Sequence, residues 1–360
     1  MKKKITALLL IPALALSLCG CSGMFSKEYF NVTEYTDNSD KIDSREVKVV
    51  SDWNELKNAV RDMVSRHISE GKLIFSGYGS ELQGDLSQVG WSVKSEDALA
   101  GYSVDYISYD LNHIVTYYEA QIHITYKRTV DDVNSIIPVA GLLGFKRQVK
   151  ESLNKCDTGL IVQWFHKGLT EEEVSATVRE VYFSDPASCV VSPKPIIRVH
   201  NSATAKNIVQ LVFNYGYSDA ALQTMKAELK RKSESIVSSF DSEDSLQFGR
   251  SACEAINSIC EYNESLGSTA YSALVEGFAD SLGMSLAFTA LCNEKGIECT
   301  VIPGRLNDAE HYWNAIYSEG KLNHIDVSNY YSLGSEATFM LSDEQMTARG
   351  YYWKPDAYAQ

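Results

Sequence analysis

The fold is decided by residues 270–299, AYSALVEGFADSLGMSLAFTALCNEKGIEC, together with residues 311–328, HYWNAIYSEGKLNHIDVS. The first segment predicts an approach to a helix over Ser281 to Glu294, which is apolar on nearly every side and is therefore expected to be buried against a sheet. Gly296 follows as a left-handed cap that ends this helix. The second segment alternates around Glu319-Gly320, a favourable two-residue turn, and predicts a β-hairpin.

Three polar side chains lie where these elements meet. Pairing Ser318 with Lys321 makes His311 and Asp326 diagonal neighbours on one face of the hairpin, within side-chain reach. A histidine beside an acid fits a general base held by its orienting group. Ser281 stands at the start of the helix, where backbone N–H groups and the helix dipole favour negative charge. Each residue also has a structural interpretation: Ser281 as the N-cap, His311 as a rim histidine and Asp326 as a strand-end cap.

These residues carry a resemblance to the transglutaminase-like superfamily. The matching blocks occur in the family's order: AYSALVEG at 270–277, GIEC at 296–299, HYWN at 311–314, IDV at 325–327 and FMLSDEQMTARGYYW at 339–353. The resemblance covers about residues 245–353 and implies a papain-like fold with a Cys-His-Asp triad. It assigns the nucleophile position to Ser281, the base to His311 and the orienting acid to Asp326, and we expect Trp313 and Tyr271 to lie in the cleft.

One other histidine and two cysteines compete for these roles. His324 shares the face of His311, but it lacks the Trp-Asn pair that follows His311. Cys292 lies at the far end of the helix and Cys299 in the next strand, so neither is placed to act as the nucleophile.

The chain departs from the family where the chemistry would begin. Ser281 replaces the nucleophilic cysteine, and Gly283-Met284-Ser285 replaces the usual glycine-aromatic-alanine. A thiol can be ionised in advance by a histidine and a helix end, whereas a serine hydroxyl must lose its proton during attack. The first hypothesis is therefore a domain that has lost acyl transfer and binds a protein or cell-wall ligand.

Two alternatives stay open. The second hypothesis is a Ser-His-Asp acyl-transferase or peptidase acting on peptide or glutamine amides, with Ser281 attacking. The third hypothesis gives the function to the N-terminal half and makes the C-terminal domain a spacer.

The N-terminus predicts export and a lipid anchor. Lys2 to Lys4 precede the apolar run Ile5 to Leu18, which is too short to span a bilayer comfortably. Leu18-Cys19-Gly20-Cys21 resembles a bacterial lipobox, which implies lipidation of Cys21 and an extracytoplasmic protein anchored to the cell membrane. The alternative is a plain secretory peptide with incidental cysteines. Residues 22–46 are polar and aperiodic and predict a flexible tether.

Charge and cysteine spacing narrow the possible ligands. The formal net charge is −14, and removal of the signal segment leaves 30 basic against 47 acidic residues. This balance disfavours nucleic acid as a partner, and it disfavours adsorption to anionic lipid by charge alone. The six cysteines beyond Cys21 form no CxxC pair and the chain has no HExxH, so we expect no metal and no cofactor.

Residues 47–240 predict an α+β region, followed by the transglutaminase-like domain over residues 241–360. A helix capped by Asp52 and ended by Gly71 is expected first, and Ile136 to Phe145 is expected to be buried core. The further predicted elements are strands at 72–78, 102–109, 114–127, 189–191, 196–200 and 207–217, and helices from 129 and at 170–182, 220–239 and 245–262. Helix, strand, long strand and helix thus occur twice, which predicts a degenerate duplication.

Overall fold

The computed structural model describes residues 47–79, 81–241, 244–318 and 320–354. These residues belong to Val47–Gln360, one of the two units into which the chain divides. The predicted signal segment, the tether and Cys21 lie outside the described residues. Within them helices and sheets are mixed, which confirms the α+β class.

The first sheet has its own hydrophobic core. Its strands run in the order β1-β2-β4-β3, with β1 and β2 parallel and the other pairs antiparallel. The core under it extends from Val50 to Ile124. The elements are β1 (Lys48–Val50), α1 (Trp53–Ser65), β2 (Glu70–Phe75), α2 (Leu82–Glu96), α3 (Ala98–Ser103), β3 (Val104–Ile114) and β4 (Tyr117–Tyr126).

The second sheet repeats this arrangement of strands. Its order is β5-β6-β8-β7, again with the first pair parallel and the other pairs antiparallel. Thr129 and Ser218 occupy equivalent places after the last strand, and each caps the helix that follows. Helix α4 (Val130–Asn134) follows the first sheet. The elements of the second sheet and its helices are β5 (Ile137–Val139), α5 (Gly141–Lys155), β6 (Gly159–Phe165), α6 (Glu171–Ser184), β7 (Ile196–His200), β8 (Lys206–Val212) and α7 (Asp219–Ser238).

The C-terminal segment builds a helix against a five-stranded antiparallel sheet of order β14-β13-β12-β11-β15. The central helix, α9, is buried at nearly every position, as predicted. The elements are α8 (Ser245–Ile259), β9 (Glu261–Tyr262), a π-helical turn (Ser272–Glu276), β10 (Phe278–Ala279), α9 (Ser281–Lys295), β11 (Cys299–Leu306), β12 (Ala309–Ser318), β13 (Lys321–Ile325), α10 (Ser335–Thr338), β14 (Phe339–Leu341), α11 (Asp343–Ala348) and β15 (Tyr351–Trp353).

One continuous core joins the second sheet to this C-terminal segment. It runs from Phe145 of α5 to Phe339 of β14 and includes the buried residues of α9. The predicted boundary between residues 240 and 241 therefore falls between helices that share a core. The first sheet keeps a separate core and meets the second sheet where Ala98 and Tyr102 of α3 pack on Ile208.

Several predicted elements differ from the observed ones. Helix α1 ends at Ser65, and Gly71 lies inside β2 rather than at the end of the helix. Helix α2 was not predicted, and residues 189–191 form no strand. The stretch 136–145 is not uniformly core, because Gly141 adopts a positive φ and starts α5, which leaves Leu143 81% exposed.

The described residues contain neither a membrane-spanning helix nor a disulfide. No helix in this part of the chain is long and apolar enough to cross a membrane. The six cysteines it contains are all buried and free of disulfides.

Candidate active site

His311 and Asp326 are brought together by the hairpin in the predicted register. Strands β12 and β13 pair Ser318 with Lys321 and Asn314 with Ile325. This register places Nε2 of His311 2.7 Å from Oδ2 of Asp326. His311 is 7% exposed and Asp326 is fully buried, so water does not compete for the contact.

The Asp326 carboxylate is held by donors on both oxygens. Besides His311, Oδ2 accepts from the Tyr351 hydroxyl at 2.6 Å and from the Asn329 side-chain amide at 2.8 Å. Oδ1 accepts from the Ser328 hydroxyl at 2.8 Å and from the Asn329 backbone N–H at 3.1 Å. Burial acts to raise the pKa of Asp326, but His311 and the hydroxyl and amide donors outweigh it, so the pKa is lowered.

Ser281 is the first residue of α9 but not its cap. The N-cap is Asp280, whose Oδ1 accepts the Gly283 N–H at 2.8 Å and whose Oδ2 accepts the Ser268 hydroxyl. The prediction that Ser281 is the N-cap is therefore wrong: the adjacent carboxylate takes that role because it can satisfy two donors at once. Ser281 is left with a buried hydroxyl that has no capping role.

The Ser281 hydroxyl lies beside strand β12, next to Tyr312. Its Oγ accepts the backbone N–H of Tyr312 at 3.3 Å, so it is close to the residue that follows His311. No hydrogen bond joins Ser281 Oγ to the His311 ring within the described residues. Because Asp326 engages Nε2, Nδ1 is the ring nitrogen that remains for a nucleophile.

The start of α9 is fixed by a close backbone approach. A Cβ on Gly283 would lie 2.0 Å from the Gly267 carbonyl oxygen and 2.8 Å from the Ala279 Cβ. Only glycine fits there, so the loop before the π-helical turn packs directly on the first turn of the helix. Asn314 fastens the next turns, since its amide donates to the Ser285 carbonyl and the Thr289 hydroxyl, each at 3.0 Å.

Trp313 packs against the ring of His311. Its ring stacks on His311 with centroids 6.3 Å apart and planes 23° from parallel, and it is fully buried. Its Nε1 donates to Nδ1 of His324 at 2.9 Å, and Nε2 of His324 lies 2.8 Å from Asp343. His324 thus has a second role in the same sheet, and burial lowers its pKa.

Tyr271 contacts helix α7. Its hydroxyl donates to Glu228 Oε2 at 2.7 Å, which ties the approach segment to α7. This hydrogen bond is the main reason that the pKa of Tyr271 rises to about 12. Of the two residues expected in the cleft, Trp313 therefore lies beneath His311 and Tyr271 lies on the side of α7.

Sequence reasoning missed four residues that complete the site. Ser328, Asn329 and Tyr351 hold Asp326, and Asp280 caps α9. The signal for Asn329 was its place three residues after Asp326, a spacing that suits a turn closed by a side chain. Within the described chain no group of three or more His, Cys, Asp and Glu residues could hold a metal ion.

Comparisons with known proteins give limited similarity. No family model and no curated protein matches the chain. A solved structure described as a TGase is similar with a TM-score of 0.25 and 12% identity, over 84% of this chain and 64% of that one. A candidate protease from Parabacteroides distasonis has a TM-score of 0.23 and 10% identity, over 71% of this chain and 40% of that one. The chain spans less than two thirds of either protein.

Proposed function

We propose that residues 241–360 form a transglutaminase-like, papain-like domain that has lost acyl transfer and serves as a binding module. In this proposal the domain belongs to an extracytoplasmic lipoprotein anchored through Cys21, and its ligand is a protein or a cell-wall component. The sequence resemblance supplies the family, and the buried His311–Asp326 pair supports it. Loss of activity is inferred because Ser281 stands at the position of the family's nucleophilic cysteine.

The observation that carries the inactive assignment is the hydrogen bonding of Ser281. Its hydroxyl accepts a backbone N–H of Tyr312, and it makes no hydrogen bond to His311 within the described residues. A serine nucleophile needs its proton removed in the attacking step, so the base must contact it. An alcohol in this position, without that contact, supports binding rather than catalysis.

A direct test compares wild type with Ser281→Ala and Ser281→Cys in an amine-incorporation assay. We expect wild type and Ser281→Ala to be equally inactive. Ser281→Cys should gain measurable incorporation, because a thiol can be ionised by His311 and the helix end. The control is Ser281→Cys with His311→Ala, which should lose that gain.

The competing hypothesis, a working Ser-His-Asp hydrolase, is supported by the free Nδ1 of His311. A serine-directed phosphonate separates the two hypotheses. Covalent labelling of wild type at Ser281, with amide hydrolysis that Ser281→Ala abolishes, would overturn the inactive assignment. We expect no labelling.

The lipid anchor is tested by replacing the modified residue. Wild type should carry an N-terminal lipid detectable by mass spectrometry and should sediment with membranes. Cys21→Ser should lose both properties, whereas Cys19→Ser should keep them. Release of wild type as an unlipidated secreted protein would contradict the anchor.

We also infer that residues 47–134 and 137–239 are a degenerate duplication. The two sheets have the same strand order and the same directions of pairing, which supports this inference. The equivalent caps Thr129 and Ser218 support it further. Because the first sheet has its own core, a fragment of residues 47–134 should fold cooperatively by itself. A fragment without cooperative unfolding would contradict an ancestral independent unit.

A further inference from the structure

Four cationic side chains gather where the two sheets meet. They come from three segments: Lys94 from α2, Lys127 and Arg128 from the residues just after β4, and Arg198 from β7, and the charges of the other three act on Lys127. Lys127 Nζ donates to the Gly101 carbonyl at 3.0 Å. The His200 ring lies beside the same glycine, with Nδ1 3.5 Å from where a Cβ on Gly101 would be.

The Tyr102 ring contacts both the Arg128 guanidinium and the His200 ring. The Arg128 guanidinium lies 5.1 Å above the centre of its ring. The His200 ring meets it edge-on, with centroids 5.7 Å apart. Arg198 precedes His200 by two residues on β7, so both side chains are on one face of the strand.

The four cations lack carboxylate partners. None of them forms an ion pair within 4.0 Å among the described residues, although the chain carries a net charge of −14. Lys94 donates to the Asp105 carbonyl at the start of β3, and Lys127 donates to the Gly101 carbonyl in the last turn of α3, so backbone carbonyls engage two of the four cations. Arg198 is exposed, and the Arg128 Nε is buried without a hydrogen-bond partner. Hydrogen bonds to backbone carbonyls therefore do not account for the charges of Arg128 and Arg198.

The positive field is strong enough to act on its neighbours. Burial lowers the pKa of His200, and Lys127, Arg198 and Arg128 lower it further, to about 4. Burial also lowers the pKa of Lys127, together with the charges of Lys94 and Arg128.

We propose that Lys94, Lys127, Arg128 and Arg198 form a binding site for a phosphate group at the seam between the two sheets. The acids that act on these cations are Asp105 and Asp132. The side chain of Asp132 is already engaged by the N–H and hydroxyl of Thr129.

Charge balance and donor shape select the ligand. Four positive and two negative charges leave an excess that a dianion neutralises, which favours a phosphate monoester or inorganic phosphate over a monocarboxylate. Guanidinium groups offer the planar donors that match phosphate oxygens. A phosphodiester lipid headgroup presents the same non-bridging oxygens with one negative charge instead of two, so the source of the phosphate is decided by experiment. The proposal does not depend on the function of Ser281.

The test is calorimetric titration of the full chain with inorganic phosphate and, separately, with glycerophosphoglycerol, the headgroup diester of an anionic lipid. We expect saturable phosphate binding, weakened at least about tenfold by Arg198→Gln and by Arg128→Gln, because each removes a charge-assisted contact. Lys230→Gln, which removes an exposed positive charge on α7, should change the affinity less than about twofold. Diester binding as tight as phosphate binding indicates a lipid source, and a clear preference for phosphate indicates a free or monoester source.

A spectroscopic readout separates binding from a structural effect. In wild type, bound phosphate should raise the pKa of His200 measured by NMR, because the anion offsets the surrounding cations. Arg198→Gln is an exposed substitution that should leave the fold intact, so it keeps the test informative even if Arg128→Gln unfolds. No saturable binding at about 10 mM phosphate, or equal affinity in wild type and Arg198→Gln, would overturn the proposal.

Discussion

The contact between His311 and Asp326 should be among the most strongly coupled in the protein. Both side chains are buried, and the hydrogen bond of 2.7 Å joins a ring N–H to a carboxylate. A buried hydrogen bond to a charged group contributes about 1.5–3 kcal/mol. A double-mutant cycle with His311→Ala and Asp326→Asn should therefore give a coupling energy of about 2 kcal/mol at pH 7. Asp326→Asn alone should cost about 3–5 kcal/mol, since an amide nitrogen would face donors that now meet an oxygen.

The dependence on pH follows from the lowered pKa of Asp326. A carboxyl group whose pKa is lower in the folded state stabilises the fold fully above its unfolded pKa of about 4. That contribution is lost as the pH falls through the folded-state pKa. The stability difference between wild type and Asp326→Asn should therefore be large at pH 7 and shrink progressively below about pH 4. Urea unfolding followed by near-UV circular dichroism measures it.

The same sheet provides a matched control for this cycle. Nε2 of His324 and Oδ1 of Asp343 are a similar 2.8 Å apart, but the Asp343 side chain is 51% exposed. Solvent screening should reduce the coupling in this pair to about 1 kcal/mol or less. Equal coupling in the two pairs, or a coupling below about 0.5 kcal/mol for His311 and Asp326, would refute the claim that burial makes the first pair strong.

Two further substitutions test the packing and the capping by urea unfolding. Gly283→Ala should destabilise the protein by about 3 kcal/mol or more, because its Cβ would overlap the Gly267 carbonyl. The control Gly84→Ala in α2, whose Cβ would meet nothing closer than 3.7 Å, should stabilise the protein by about 0.5–1 kcal/mol. A tolerated Gly283→Ala would disprove the close approach. Thr170→Ala should lower the free energy of unfolding by about 1 kcal/mol, because it removes the reciprocal cap of α6. The control Thr224→Ala, on the exposed face of α7, should stay within about 0.5 kcal/mol of wild type. Equal effects would argue against the cap.

The local patterns that sequence reasoning used well were the ones fixed by short-range geometry. The Glu319-Gly320 pattern predicted the pairing of Ser318 with Lys321, and the observed register brings His311 to Asp326. The Asp52 cap and the left-handed Gly296 likewise depend only on neighbouring backbone groups. For such features the sequence contains all of the relevant contacts.

Some misses arose where distant contacts decided the outcome, and one arose from a local pattern with a low apparent helix propensity. At the start of α9 two adjacent residues could cap, and the Ser268 hydroxyl from an earlier loop helps to stabilise Asp280 in that role. Helix α2 contains Gly84 and Gly90, which lowered its apparent propensity. Its spacing of Leu82, Leu86, Val89 and Val93 was the signal that marked the buried face. The core shared by the second sheet and α9 joins segments too far apart in sequence to be inferred from local pattern.

The pKa of a thiol placed at residue 281 tests the central claim most directly. The absorbance of the thiolate near 240 nm reports it in Ser281→Cys, with wild type subtracted to remove the other cysteines. We predict a pKa below the usual value of about 8.5, because the helix end and His311 stabilise the thiolate. Adding His311→Ala should raise that pKa by about one unit or more. A pKa at or above the usual value, unchanged by His311→Ala, would contradict a nucleophile position facing the His311–Asp326 pair.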